Sequence, residues 1–373
     1  MTNNSSPEFA TQMVVWGGLL LGLVLGVVAQ ATSFCTRGGL VDWFTYGGKA
    51  RLMMWVLAVV VAATGTLSLI DLAWLDATRA SAWSERFLWL SYLVGGCLFG
   101  YGMAIASGCP QRSLVKAGAG SMKAIVTLLV TAVVAQMTLR GLFAGPRVNW
   151  LDAVSLDLGH PQDLGSMLAP MLGAQPAALR WMLLALLLLL AGLLLWRNRA
   201  GMDLSHWIGG ALVGLLVPAA WALTGHLGFI AEHPETLEAV WMGSYSHRPE
   251  ALSFAAPLAH GMDLLTLWSD RNNKVSFGIT LTVGVLLGSA ASALVRREFQ
   301  FESFTDAQDM GRHLLGGVLM GFGGVTAMGC SIGQGISGLS LLSAGSVLAV
   351  AGIVAGVWVA TRIQTWQLDR NEK

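Results

Sequence analysis

Three cysteines stand in closely similar settings: SFCTRGG around Cys35, SGCPQRSLVKAGAG around Cys109 and MGCSIGQGISG around Cys330. Each closes an apolar run and is followed by polar or helix-breaking residues. A thiol is a weak, polarisable donor that suits a soft sulfur-bearing ligand, whereas a thiolate is a nucleophile and metal ligand. Two chemistries are therefore open: passing S–H contact with a soft anion, or covalent exchange. A thiolate would repel an anionic solute, so the first needs protonated thiols and the second the reverse. Spacing alone leaves both open.

The residues next to the thiols favour an anion. Breaks of this kind leave backbone N–H groups free, and a helix that starts there turns its positive end to the gap. Pro110 suits a first helical turn, where its missing N–H costs nothing. Gly108 and Gly329 let backbone approach a solute, and Thr36, Gln111, Ser331 and Gln334 add hydrogen-bond donors. The fourth cysteine, Cys97, lies inside a continuous apolar helix and reads as a small buried hydrophobe. No CxxC pair is present, which argues against a disulfide framework. Seven His, read as solvated or capping residues at loops and helix ends (His160, His206, His226, His233, His247, His260 and His313), suggest no His-rich metal site. No catalytic residue, metal or cofactor is expected.

The elements that hold these breaks are membrane-spanning. Of 373 residues, 54% are hydrophobic and 12% charged, with mean hydropathy +0.63; soluble domains carry about a quarter charged residues. Several runs approach the roughly 20 apolar residues that cross a hydrocarbon core. The fold expected is an all-α polytopic integral membrane protein. About nine full spans are expected, near 13–34, 52–73, 88–107, 124–143, 177–196, 206–226, 275–295, 313–329 and 341–362, together with short re-entrant or broken helices. Irregular backbone at membrane depth is tolerated where it is buried in protein or lines an aqueous path. Loops 144–176 and 227–274 are long and acidic, each with room for a short interfacial helix.

Residues 95–109, GGCLFGYGMAIASGC, and 316–330, GGVLMGFGGVTAMGC, match at eight of fifteen positions with a constant offset of 221. The expectation is a pseudo-two-fold inverted repeat, with broken helices meeting near the midplane. The half-repeats expected are 1–200 and 201–373. Glycine-spaced helix packing explains the glycines, but not the cysteine that closes each run.

Counting Lys and Arg in short loops places 14 of the 22 basic residues on one side, among them Arg37, Lys49, Arg112, Lys116 and Lys373. The expected orientation puts the N-terminus outside and the C-terminus in the cytoplasm. Arg37, Arg112 and Lys116 are assigned that topological role. The N-terminus lacks the basic region of a secretory signal, so the first span is expected to be retained. Net charge is +1, which suggests no polyanionic partner and no nucleic acid. No intramembrane Asp, Glu or His stands out as a proton relay.

The stretches SGCPQRSLVKAGAGS and GGVLMGFGGVTAMGCSIGQGISGLSLLSAGS resemble the YeeE/YedE family of bacterial inner-membrane sulfur transporters. The resemblance implies an uptake permease for thiosulfate or a closely related sulfur anion, an hourglass-like pathway, and three thiols that pass the ion along by S–H contact. By motif those thiols are Cys35, Cys109 and Cys330. It further implies a small soluble sulfur-carrier partner of the TusA type, and in some members a link to selenium compounds. The extra Cys97 and the long loops depart from the family pattern. A membrane thiol or persulfide enzyme, or a selenium-compound transport component, is the alternative.

Overall fold

In hydrocarbon no water bonds the backbone, so each apolar run must satisfy its own N–H and C=O groups as helix. A computed structural model describes residues 6–232, 234, 237–270 and 273–371; His233 and Lys373 lie outside them. The helices are α1 Pro7–Thr32, α2 Thr36–Tyr46, α3 Ala50–Asp71, α4 Trp89–Ile105, α5 Pro110–Gly118, α6 Met122–Arg140, α7 Ala144–Pro146, α8 Leu164–Leu172, α9 Pro176–Asn198, α10 Leu204–Ala222, α11 Ala255–Thr266, α12 Phe277–Val295, α13 Ala307–Thr326 and α14 Ala344–Asn371. The long loop 144–176 carries the short helices α7 and α8, and the loop 227–274 carries α11.

Among the described residues, eight helical stretches are long and apolar enough to cross a membrane, where nine spans are expected. The remaining prediction, 313–329, falls on α13. Its opening turns carry Asp309, Arg312 and His313, which lower its hydropathy. Its later half, from Gly316 to Thr326, is mostly buried against α4 and α6. A helix covered by protein does not need an apolar surface on every side.

Glycines set the helix spacing. Gly96 and Gly100 of α4 lie against the backbone of Ala349 and Ile353 in α14, and Gly352 and Gly356 return the contact on Leu93 and Cys97. Gly22 and Gly26 of α1 do the same against Leu281 and Val285 of α12, with Gly284 and Gly288 opposing them. Small residues four apart let backbones meet closely, which is how helices associate where lipid offers no hydrophobic drive. Between α4 and α13 the contacts are reciprocal: Gly95 meets Gly323, and Gly102 meets Gly316. The 221-residue offset exchanges these two pairs.

The loops gather at two ends. At one, Met122 N bonds Glu302 O at 2.8 Å and Lys123 pairs with Asp309 at 2.9 Å; this end carries most of the basic residues. At the other, β1 (Arg86–Phe87) pairs antiparallel with β2 (Leu156–Asp157), and β3 (Phe229–Ile230) with β4 (Val240–Trp241). There Trp83 Nε1 also donates to Leu341 O at 2.9 Å. Two buried carboxylates that the sequence does not single out brace this end. Asp163 is paired with Arg180 at 2.8 Å, and Asp263 accepts from Gln136 at 2.7 Å.

Candidate functional site

The three cysteine breaks share one backbone construction. The residue two before each cysteine is left-handed: Ser33 at φ 53°, Ser107 at φ 57° and Met328 at φ 58°. None is glycine, so each costs about 1 kcal/mol, a strain that packed surroundings must hold in place. In the two repeat copies, Gly108 N bonds Met103 O at 3.1 Å and Gly329 N bonds Gly324 O at 2.8 Å, capping α4 and α13 alike. The cysteine then opens the next turn. Its carbonyl accepts from the residue four further on: Gly39 at 3.1 Å, Ser113 at 2.8 Å and Gln334 at 2.8 Å.

The sulfurs sit where a capping oxygen usually sits. Gly38 N donates to Cys35 Sγ at 3.2 Å and Gly333 N to Cys330 Sγ at 3.4 Å. The Arg112 N–H lies beside Cys109 Sγ without closing a cap bond. Cys109 is central: both Cys35 and Cys330 are within electrostatic reach of it, and Ser331 faces its thiol. Cys109 and Cys330 are fully buried and Cys35 is half-buried. The three thiols flagged by sequence are thus brought together. Cys97 stands apart, in the contact between α4 and α14.

Around them lies a concentration of buried polar atoms without hydrogen-bond partners among the described residues. Thr36 Oγ1, both amide atoms of Gln111 and Ser331 Oγ are of this kind, and all three side chains are buried. Buried polar groups are nearly always bonded, so a cluster of orphans marks a place for a polar ligand or water. Two more donors belong to it that the sequence reading did not assign. Arg37 Nε is one; Trp55 Nε1 is the other, and a Cβ on Gly335 would stand 3.6 Å from it. The Arg37 guanidinium is visible in SFCTRGG, whereas nothing in the pattern around Trp55 marks it.

Gln334 has a different task from the one expected. Its Nε2 donates to Ala327 O at 2.7 Å and its Oε1 accepts from Ser346 Oγ at 2.6 Å. The end of α13 leaves a buried carbonyl that needs a donor, and Gln334 supplies it. It is a clamp that ties the Cys330 turn to α13 and α14. Gly329 packs under it, where a Cβ would stand 3.1 Å from Gln334 Cγ; Gly108 has ordinary room, 3.4 Å from Ser113 Oγ.

From the end with the long loops, a cavity of about 510 Å³ leads to Gly329, Gly333 and Gln334, the turn that carries Cys330. Its wall holds Arg147 and Arg248, with Glu250 and His260. Burial pushes the His260 imidazole down to about 4, with Asp263 pulling upward and Arg140 adding to the fall. Burial also raises the Glu250 carboxyl, against the hydrogen bonds from Ser246. At neutral pH the His260 imidazole of the vestibule is therefore neutral, and of the two guanidinium groups Arg147 is paired with Asp152 at 3.7 Å. Beyond the turn Cys109 and Cys330 are fully buried, whereas Cys35 is half-buried, with Arg37 and Lys116 within electrostatic reach.

A family model described as sulphur transport matches residues 31–359. A protein of Escherichia coli named thiosulfate transporter TsuA is 26% identical over 374 residues, 93% of this chain and 94% of its own length. A protein of the same name from Spirochaeta thermophila is 23% identical over 363 residues, 92% of this chain and 97% of its own.

Proposed function

This chain belongs to the sulphur-transport family, and we propose that it is an uptake permease for thiosulfate or a closely related sulfur oxyanion. The observation that carries this reading is the triple recurrence of one left-handed break closed by a cysteine, brought to one place and lined by unpartnered donors. Two relatives covering nearly the whole chain are named for the same substrate.

The dianion enters the vestibule, where Arg147 and Arg248 draw it inward. At the Cys330 turn the soft terminal sulfur meets a thiol while Ser331, Gln111 and backbone N–H groups bond the oxygens. Cys109 and then Cys35 take over the sulfur contact, so the ion is held by one or two thiols at a time. The S–H form is required throughout, because a thiolate would repel the ion. The reciprocal glycine contacts between α4 and α13 support a pseudo-two-fold relation between halves 1–200 and 201–373, and an hourglass path narrowing at the thiols. The chain acts as a transporter and not as an enzyme.

The basic end faces the cytoplasm of a bacterial inner membrane, with the N-terminus outside, as the distribution of Lys and Arg supports. A small sulfur-carrier protein of the TusA type would receive the cargo there. Uptake by the purified protein in liposomes, with thiosulfate, sulfate, sulfite and selenite compared, tests the assignment. Thiosulfate is expected to enter fastest; equal exclusion of all four would overturn it.

A further inference from the structure

Three cations lie at the inner side of the thiols, each anchored by a hydrogen bond to one backbone carbonyl. Arg37 Nη2 donates to Ala104 O at 3.2 Å, Arg112 Nη1 to Ala29 O at 3.4 Å and Lys116 Nζ to Ser107 O at 3.0 Å. These carbonyls belong to the closing turns of α1 and α4 and the break after α4. Arg37, Arg112 and Cys35 are all within electrostatic reach of Lys116, so the four form one group. All three cationic residues are half-buried.

What the group lacks is a counter-charge. Among the described residues none of the three cations makes an ion pair with a carboxylate. The nearest acids are already engaged: Asp42, in reach of Arg37, pairs with Arg51 at 3.4 Å. Glu302, in reach of Lys116, pairs with Lys123 at 3.4 Å and accepts from Ser121 at 2.9 Å. Buried charges are normally paired. Arg37 Nε is moreover buried with no hydrogen-bond partner. A guanidinium has five N–H donors and an ammonium three, so most donors of the group remain uncommitted. Arg is also the side chain whose fork matches a planar or tetrahedral oxyanion. Topology alone asks only that such residues sit in cytoplasmic loops, not that they converge beneath a thiol.

We propose that Arg37, Arg112 and Lys116, with Cys35, form a second binding site for a divalent tetrahedral sulfur oxyanion, placed after the thiol constriction. The proposal rests on the permease reading for its cargo. The site lowers the energy of the ion once it has left Cys109, and its three cations release the ion into water by exchange with small anions.

The test uses the full-length protein in detergent with Cys35 as sole thiol (Cys97→Ala, Cys109→Ala, Cys330→Ala). Its labelling rate is measured with a sulfonate-bearing methanethiosulfonate and with the neutral methyl methanethiosulfonate. The sulfonate reagent should be favoured, and thiosulfate or sulfate should slow it more than chloride does at equal ionic strength. Arg112→Gln with Lys116→Gln should lower the ratio of anionic to neutral labelling about tenfold, while Arg112→Lys with Lys116→Arg keeps it. Absence of protection by sulfate and thiosulfate in the background retaining all three cations overturns the proposal, whatever the variants do. So does an unchanged ratio in the Gln variants. Protection without thiosulfate uptake by the native chain keeps the anion site and sinks the permease reading; uptake without protection sinks the site alone.

Discussion

At the scale of single residues the thiols were legible because each closes an apolar run in a similar frame, and a cysteine that recurs at a fixed repeat position stands out from Cys97. The tasks of their neighbours were less so. Gln334 looked like a donor for the solute, but the end of α13 leaves the Ala327 carbonyl unbonded, and the Gln334 amide fills that need. Composition cannot show which buried carbonyl lacks a partner until the turn is built. Trp55 is hidden for the same reason: it lies on α3, far in sequence from the Cys330 turn, and comes beside Gly335 of that turn through packing. The two kinds of polar neighbour should separate on substitution. Gln334→Ala strands a buried carbonyl and the Ser346 hydroxyl, a loss of about 1–3 kcal/mol that a thermal melt in detergent would register. Ser331→Ala removes an oxygen that faces only the weakly bonding Cys109 thiol, so the melt should hardly move while thiosulfate uptake falls.

At the scale of elements, apolar length predicted the helices closely, since a span must satisfy its own backbone. The segment expected at 313–329 is a helix, α13, but its charged opening turns leave it less apolar than the other eight stretches, which burial against α4 and α6 allows. The breaks themselves were placed by glycine and proline, but their geometry was not visible. Ser33, Ser107 and Met328 hold left-handed backbone that their side chains disfavour, and only packing on both sides keeps them there. That packing depends on glycine contacts between helices. A Cβ on Gly100 would run into the Ile353 carbonyl of α14, and one on Gly321 would press on Thr131 O of α6 at 2.7 Å. Backbone cannot yield as a flexible side chain does. Gly100→Val should therefore part α4 from α14 and cost more than the 1–3 kcal/mol typical of an overpacked core. Loss of the monodisperse peak in size-exclusion chromatography would show it; an unchanged melt and elution would contradict the packing argument.

At the scale of the molecule, the two ends differ in charge and in titration. The vestibule at the end with the long loops keeps His260 neutral by burial, its value lowered from 6.5 to about 4. Between those limits the unfolded chain binds a proton that the folded chain refuses, so stability falls as pH drops through this window. The raised Glu250 carboxyl acts oppositely, holding its proton when folded, so its contribution is lost as pH rises above its ordinary 4.5. His260→Phe should flatten the acid side of a melting-temperature profile between about pH 6.5 and about pH 4; a profile identical to the native one would contradict the burial argument. Along the path between the ends, the central claim is that the thiols pass the ion on. It is tested most directly by thiosulfate uptake into liposomes containing the native chain, Cys109→Ala, Cys330→Ala or Cys97→Ala. Uptake should vanish in the first two variants and persist in Cys97→Ala. Native rates in both Cys109→Ala and Cys330→Ala would contradict the account.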